Sequence, residues 1–402
     1  MIKSPHVGTT VHMLSMTTTH RWFVRSLVLS IVCTLLSAVP AFAQSSLILL
    51  TQSALRNPDG SEVRAFPAYM QTKLSMLDTL PFDGIAFHSP SSYSFMDGRL
   101  YSTTTLANDW APLKGVQWAR LKHNFAIVNV SRPADFFDDW TNTIQSFKNL
   151  ASVLKDAGIQ GILFDNEEYQ GGVWHYPGDV SYASSKSLTD YYAQARLRGG
   201  QIISAVQSVY PEIEMMVLLS PADNCPSTPD VQTAWTRDPT NLAGAFTVGM
   251  MANSNKPIID GNEMAYNYRT QAEFDGSYQW RKTGIVNSSQ TCPFIPSTLQ
   301  STWPNRISIS HGLFNLGINY ANGVFKSMSP SIMENVMGMA LRSAEKYTWL
   351  YWEGTQNWYN AVGSSFGVPS DWYNAVQRTW LANRPSTAVP PVAPSGLRIV
   401  TR

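Results

Sequence analysis

Apolar runs of strand length alternate along this chain with longer stretches of helical period, and eight such units can be counted. A chain patterned this way builds a parallel sheet, because a crossover helix returns each new strand to the same end. The runs are Ser46–Thr51 (SLILLT), 83–88 (DGIAFH), 124–130 (NFAIVNV), 159–165, 213–220 (IEMMVLLS), 257–263, 306–310 and Tyr347–Trp352. Helices are expected at 65–80, 134–157, 187–209, 330–346 and 370–381. In the second of these, Phe136, Trp140, Ile144, Phe147, Ala151 and Leu154 recur every three or four residues, and Gly158 closes the helix. Two segments compete for the sixth strand, 246–251 and 257–263. The PIIDG run has β-branched residues followed by turn formers, so 257–263 is taken as strand and 241–253 as a helix or lid.

The expectation is an α/β fold, a (β/α)8 TIM barrel with long loops after its strands, occupying 44–384 as a single domain. The competing architecture is an open doubly wound sheet. That fold often carries a Gly-rich phosphate turn after its first strand, and the chain has none. The 402 residues, 44% of them hydrophobic, suffice for one large core or two smaller ones. A net charge of +1 gives no electrostatic reason to expect nucleic acid or an anionic membrane as partner.

The N-terminus reads as an export signal. Arg21 and Arg25 precede an apolar run over 26–38, and Ala41-Phe42-Ala43 supplies a small-x-small cleavage site. Residues 1–43 are therefore expected to be an extension plus signal peptide, with a secreted or periplasmic mature chain and no stable membrane span. Of three cysteines, Cys33 lies within the signal, leaving Cys225 and Cys292 as a disulfide pair in an oxidising compartment. Zinc is not expected, since no CxxC or HxxxH spacing occurs, and neither a metal nor a cofactor is called for. Residues 385–402 begin with PSTAVPPVAP and form a Pro-rich tail.

Acidic residues mark three of the strand ends: Asp165, Glu167 and Glu168 in GILFDNEEY, Asp260 and Glu263 in PIIDGNE, and Glu353 in YTWLYWEG. A parallel barrel converges its strand ends on one mouth, where active sites are built. Side chains alternate along a strand, so Leu163, Asp165 and Glu167 share one face, with the two acids stacked at that mouth. Two carboxylates so close cannot both ionise cheaply, and one of them can hold a proton at neutral pH. That is what a general acid needs. The Asp260–Glu263 segment has a second reading as a plain DG/GN turn, and Glu353 one as a rim salt bridge.

Aromatics make up 12% of the chain against 14% charged residues, which fits carbohydrate handling as well as a large core. Tyr169, Trp174, Tyr266, Trp352 and Trp358 are the candidate sugar-stacking residues, with Glu168, His88 and His311 as further substrate contacts. Arg132, Asp223 and Asn224 are weaker candidates. No GxSxG elbow supports a Ser–His–Asp hydrolase. Asn129-Val130-Ser131 and Asn287-Ser288-Ser289 match the glycosylation triplet.

At ILFDNEEY the chain resembles the last part of the chitinase-type (family 18) motif, and MAYNY resembles the M-x-Y-D segment of those enzymes. The resemblance covers some ~20 residues. Gln160 and Leu163 stand where the earlier aspartates of the D-x-x-D-x-D-x-E series would be, and Asn267 replaces the aspartate after the tyrosine. Taken with FDGIAFH and YTWLYWE, the order of motifs is similar to that of secreted bacterial barrels of the glycoside-hydrolase superfamily. The resemblance implies cleavage of a polysaccharide or oligosaccharide, with Glu167 as general acid tuned by Asp165. The second carboxylate would be Glu263 or Asp260 before Glu353. The alternatives are a non-catalytic carbohydrate-binding barrel and a metal-dependent hydrolase or deacetylase using an Asp and His88.

Overall fold

The computed structural model describes residues 45–93, 95–168, 171–225, 238, 240–287, 292–318 and 327–384. Residues 1–43, where a signal is expected, the tail 385–402 and Tyr169 lie outside the described residues.

Eight parallel strands form the centre: β1 (Ser46–Thr51), β2 (Gly84–Phe87), β3 (Phe125–Val130), β4 (Gly161–Glu168), β5 (Glu214–Val217), β6 (Ile258–Asp260), β7 in two pieces (Ile307–Ile309 and His311–Phe314) and β8 (Tyr347–Trp352). Each pairs in parallel with its neighbours in sequence, and β1 also pairs with β8 from Ser46↔Tyr347 to Thr51↔Trp352. The two pieces of β7 are separated by Ser310 alone. The first pairs with β6 and the second with β8, so the sheet closes through this strand. The fold is a (β/α)8 barrel, and an open doubly wound sheet is ruled out by that closure.

Closure divides the apolar residues into two shells. Ile48, Ala86, Phe125, Ile127, Leu163, Met216, Ile259 and Trp349 fill the barrel interior. Their strand neighbours Leu47, Leu49, Ile85, Ala126, Val128, Ile162, Phe164 and Met215 face the helices. Strands buried on both faces read as continuous apolar runs, which is why they stand out in the sequence.

Helices follow the strands: α1 (Pro67–Gln71, continued by Leu74–Leu77), α2 (Thr103–Trp110), α3 (Thr141–Ala157), α4 (Leu188–Val209), α5 (Ala243–Asn253), α6 (Gln271–Gln279), α7 (Pro330–Ser343) and α8 (Ser370–Ala382). Helix α3 starts seven residues later than its apolar spacing predicts. The Asp135 and Asp139 side chains accept hydrogen bonds from the Phe137 and Thr141 amides, holding 135–140 in turns. Phe136 and Trp140 are still buried, but from that loop. Gly158 ends α3 at φ +70°, the left-handed geometry expected of it. Ser187 and Asp190 form a reciprocal capping box on α4.

The segment taken as a helix or lid is α5, and it is no lid. Ala243 to Met251 is buried throughout, and α5 lies against α4 so closely that a Cβ on Gly199 or Gly249 would meet opposing backbone oxygens at 2.0 Å. Cys225 and Cys292 form the expected disulfide, with Cα atoms 5.1 Å apart, joining the loop after β5 to the segment before β7. Among the described residues no helix is long and apolar enough to cross a membrane.

The crosslink closes a loop of 67 residues, so chain entropy puts its contribution at up to about 4 kcal/mol. Replacing both cysteines with serine should lower the denaturant midpoint accordingly. Thiol titration of the unfolded, non-reduced mature chain should find no free thiol, and finding two would exclude the bond.

Candidate active site

All eight strand ends contribute to one cavity of about 550 Å³ at the C-terminal mouth. Thr51 to Ala54 enter after β1, and His88 and Tyr93 after β2. Asn129 and Ser131 close off β3, while Asp165 and Glu167 end β4. Leu218 follows β5, Glu263 and Tyr266 follow β6, Phe314 belongs to β7, and Tyr351 and Glu353 come from β8. Glu167, Glu263 and Glu353, from three separate strands, therefore meet in one hollow with Asp165 beside them.

On β4, Leu163, Asp165 and Glu167 all face the cavity, as strand alternation requires. The pairing with β3 slips between Asn129↔Asp165 and Val130↔Glu168, a bulge that carries Asn166 and Glu167 past the regular ladder. Asn166 stabilises the bulge by bonding both backbone groups of Leu219 through its amide, at 2.7 and 2.9 Å. Asp165 is held by Asn129, whose Nδ2 donates to Oδ2 at 2.6 Å, and by the Glu167 amide on Oδ1 at 3.2 Å. Two fixed donors orient this carboxylate before any ligand arrives.

After β6 the chain turns at Asn262, which sits at φ +47°. Asparagine tolerates this left-handed geometry better than other non-glycine residues. The turn sends the two acids of this segment opposite ways. Glu263 lines the cavity. Asp260 instead accepts from the Arg281 guanidinium at 3.0 and 3.1 Å, outside the cavity lining and fully buried. Asp223, another sequence candidate, binds the same Arg281, at 2.5 Å. A single π-helical turn, Trp280–Gly284, delivers that arginine into the core. Burial pushes the Asp260 carboxyl upward more strongly than Arg281 pulls it down. The expected catalytic or substrate contact for Asp260 is corrected to a structural ion pair, because a buried guanidinium needs anions around it.

Glu353 is half-buried at the rim. Its backbone is pinned by reciprocal bonds with the Asn315 side chain, at 2.8 and 2.9 Å. Tyr351 beside it reports the shared field of the hollow. Its phenol is pushed well above the ordinary value by burial first, then by Glu353, Asp165, Glu167 and Glu263.

The remaining candidates divide. Tyr266 lines the cavity. His88 lines it too, its Nε2 bonded to the Thr51 carbonyl at 2.9 Å and its ring stacked on Tyr93. Burial lowers the His88 pKa to about 4, with Arg64 adding to the effect, so the ring is neutral at pH 7. His311 is fully buried outside the lining, bonded to Asn262 at 2.8 Å and packed edge-on to Phe274. It is a core histidine.

Trp174, Trp352 and Trp358 are not exposed stacking faces. Trp174 packs on Phe136 and Phe246 with its Nε1 on the Asn166 carbonyl. Trp352 packs on Trp358 and Trp372, and Trp358 is completely buried. Glu168 points away from the cavity mouth, accepting from the Val173 and Trp174 amides at 2.6 and 2.8 Å. Among the described residues Glu168, His175 and Asp179 form the one group whose metal-ligating atoms lie within 4.8 Å of one another.

Sequence reasoning missed Tyr93, Asn129, Ser131, Phe314 and Tyr351. Alternation was the available signal for two of them, since Tyr351 shares a face with Glu353, and Asn129 with Ile127. Asn129, which fits the glycosylation triplet, is 2% exposed inside the barrel and closed to modification in the folded state.

No protein-family model matches this chain, and no curated protein does. Among solved structures it is similar to a glycoside hydrolase family 5 enzyme from Prevotella bryantii B14, at 14% identity over 86% of this chain and 98% of that one, with a TM-score of 0.41. It is also similar to a beta-mannanase from the blue mussel Mytilus edulis (12%, covering 79% and 84%, TM-score 0.39). A Ruminococcus gnavus sialic acid aldolase is similar too (12%, covering 76% and 68%, TM-score 0.33). Likenesses this distant carry no argument; the fold rests on the strand pairing.

Neutral burial of His88 has a consequence for stability. In the unfolded chain the imidazole takes a proton near pH 6.5, while in the folded state it does so only near pH 4. Its contribution is therefore intact above about pH 6.5 and is lost as pH falls towards 4, by on the order of 3 kcal/mol. Denaturation midpoints of the wild type measured from pH 7 to pH 4 should fall more steeply than those of His88→Gln. Equal slopes would contradict the assignment.

Proposed function

We propose that this protein is a glycoside hydrolase that cleaves an oligosaccharide or polysaccharide by carboxylate acid/base chemistry. The observation that carries the reading is the meeting of Asp165, Glu167, Glu263 and Glu353 around one cavity large enough for a sugar unit and its neighbour. Hydrolysis of a glycosidic bond needs one carboxyl group to protonate the leaving oxygen and a second to supply a base or nucleophile. Glu167 is assigned the acid. It stands on the same strand face as Asp165, whose carboxylate is oriented by Asn129 and the Glu167 amide. Glu263 or Glu353 is assigned the second role, as base for a water or as nucleophile. Tyr266, Phe314 and Tyr351 line the same cavity as a mutually packed aromatic group.

Export fits this reading: the disulfide and the N-terminal signal pattern both suit a protein working outside the cytoplasm. Asp260 takes no chemical part in it.

The test is release of reducing ends from a panel of glycans. Glu167→Gln should lower the rate on a cleaved substrate about 10²- to 10⁴-fold with little change in KM. Glu263→Gln or Glu353→Gln should cause a loss of similar size, whereas Asp260→Asn should act through stability. A fully active Glu167→Gln enzyme would reject the assignment. Binding without product release by the wild type would favour a carbohydrate-binding role instead.

A further inference from the structure

Among the described residues that line the cavity, Tyr93 is the one exposed aromatic, at 36%. The other rings of the wall are placed differently. Tyr266 and Phe314 are buried against each other, and Tyr351 stacks on Phe314 with centroids 5.3 Å apart. Those three fill space, whereas Tyr93 stands at the open side of the mouth.

Two contacts hold the Tyr93 side chain. Its hydroxyl donates to Ser53 Oγ at 3.1 Å. One face lies parallel to the His88 ring, with 7° between the planes and 5.9 Å between centroids. With one end and one face taken, the face left for a ligand is the opposite one. The C–H side of a pyranose is apolar, and laying it on such a face removes both surfaces from water.

The parts that carry this ring are themselves fixed. Ser53 lies between β1 and a short antiparallel hairpin, Ala54–Arg56 with Glu62–Arg64. The Arg56 carbonyl of that hairpin accepts from the Asn357 and Asn360 side chains, at 2.9 and 2.7 Å. Next to Tyr93, the Ser92 carbonyl accepts from the Asn129 amide at 2.9 Å and ties the loop after β2 to β3. Segments following β1, β2 and β8 are thus joined around the ring. A platform held in place before binding costs less to order when the ligand arrives.

Strand order sets what such a ligand would meet. In the ring of eight, β2 stands two strands from β4 and two from β8, with β6 opposite. A sugar lying on Tyr93 therefore has Glu167 to one side and Glu353 to the other, and it faces Glu263 across the cavity.

We propose that Tyr93 is the stacking platform of this cavity, binding the apolar face of a pyranose unit and so placing the neighbouring glycosidic bond among the carboxylates. The assignment deepens the reading of the cavity as a carbohydrate site and rests on it.

Calorimetric titration of the purified protein with cellotetraose, mannotetraose and the N-acetylglucosamine tetramer tests this, comparing wild type, Tyr93→Phe and Tyr93→Leu. Both variants lose the bond to Ser53, so a difference between them belongs to the ring. The tetramer that the wild type binds most tightly should lose about tenfold in affinity with leucine and less than about twofold with phenylalanine. Its pyranose C–H protons should move upfield in NMR spectra with wild type and with Tyr93→Phe, a ring-current shift that shrinks with leucine. Equal affinity of wild type and Tyr93→Leu, an equal loss in both variants, or no binding of any of the three tetramers would overturn the proposal. Its failure is distinct from that of the hydrolase reading. Glu167-dependent cleavage at an unchanged KM in Tyr93→Leu removes only the platform, and a tetramer that stacks on Tyr93 without being cleaved removes only the hydrolase.

Discussion

Closure of the barrel at β7 is the constraint on which the site depends. The strand reaches both neighbours by changing partner around Ser310: Ile307–Ile309 follows β6, and His311–Phe314 follows β8. The Ser310 amide donates to the Asp260 carbonyl, and the Gly312 amide to that of Asn262, so the switch is stitched to the turn that aims Glu263. Were the sheet left open here, two edges would be exposed, and β8 with Tyr351 and Glu353 would have no fixed relation to β6. The carboxylates share a hollow because the sheet is a ring.

Within that ring, backbone geometry separates acids that chemistry alone would treat alike. Asp260 and Glu263 are three residues apart, yet the left-handed Asn262 sends one to Arg281 and the other into the cavity. The Arg281–Asp223–Asp260 cluster is expensive to bury, and removal of any one member would strand the others. Such a cluster suits a position where the β5 and β6 loops must keep a fixed geometry beneath an adaptable mouth. At the opposite end of the barrel, Tyr347 and Lys346 both bond Glu214, closing the floor with polar contacts that do not take part in the cavity.

The fold was largely legible in the sequence because parallel strands are buried on both faces and so appear as unbroken apolar runs; Ser46–Thr51 and Tyr347–Trp352 match residue for residue. Helix starts were less legible. Phe136 and Trp140 continue the apolar period of α3, but aspartate side chains competing for backbone amides keep them out of it. At the mouth, alternation correctly placed Asp165 and Glu167 on the cavity face, because both lie on a continuous strand. It was not followed on β8, where it would have chosen Tyr351 over Trp352. The tryptophans were misjudged for a different reason. Composition cannot distinguish a ring that faces a sugar from one that fills the space between barrel and helices, and here Trp174, Trp352 and Trp358 all do the latter. Asp260 was beyond sequence reasoning, since its partner Arg281 is 21 residues away on a π-helical turn.

Cleavage by carboxylates in this cavity requires one bound glycan to meet Glu167 and a second carboxylate from across the barrel at the same time. A crystal structure of Glu167→Gln with an uncleaved oligosaccharide tests that most directly. The expected result is a glycosidic oxygen within hydrogen-bond distance of the residue 167 side chain, with Glu263 or Glu353 facing the adjoining anomeric carbon. A sugar chain seated elsewhere on the molecule, or one that touches the rim without entering between these side chains, would contradict it.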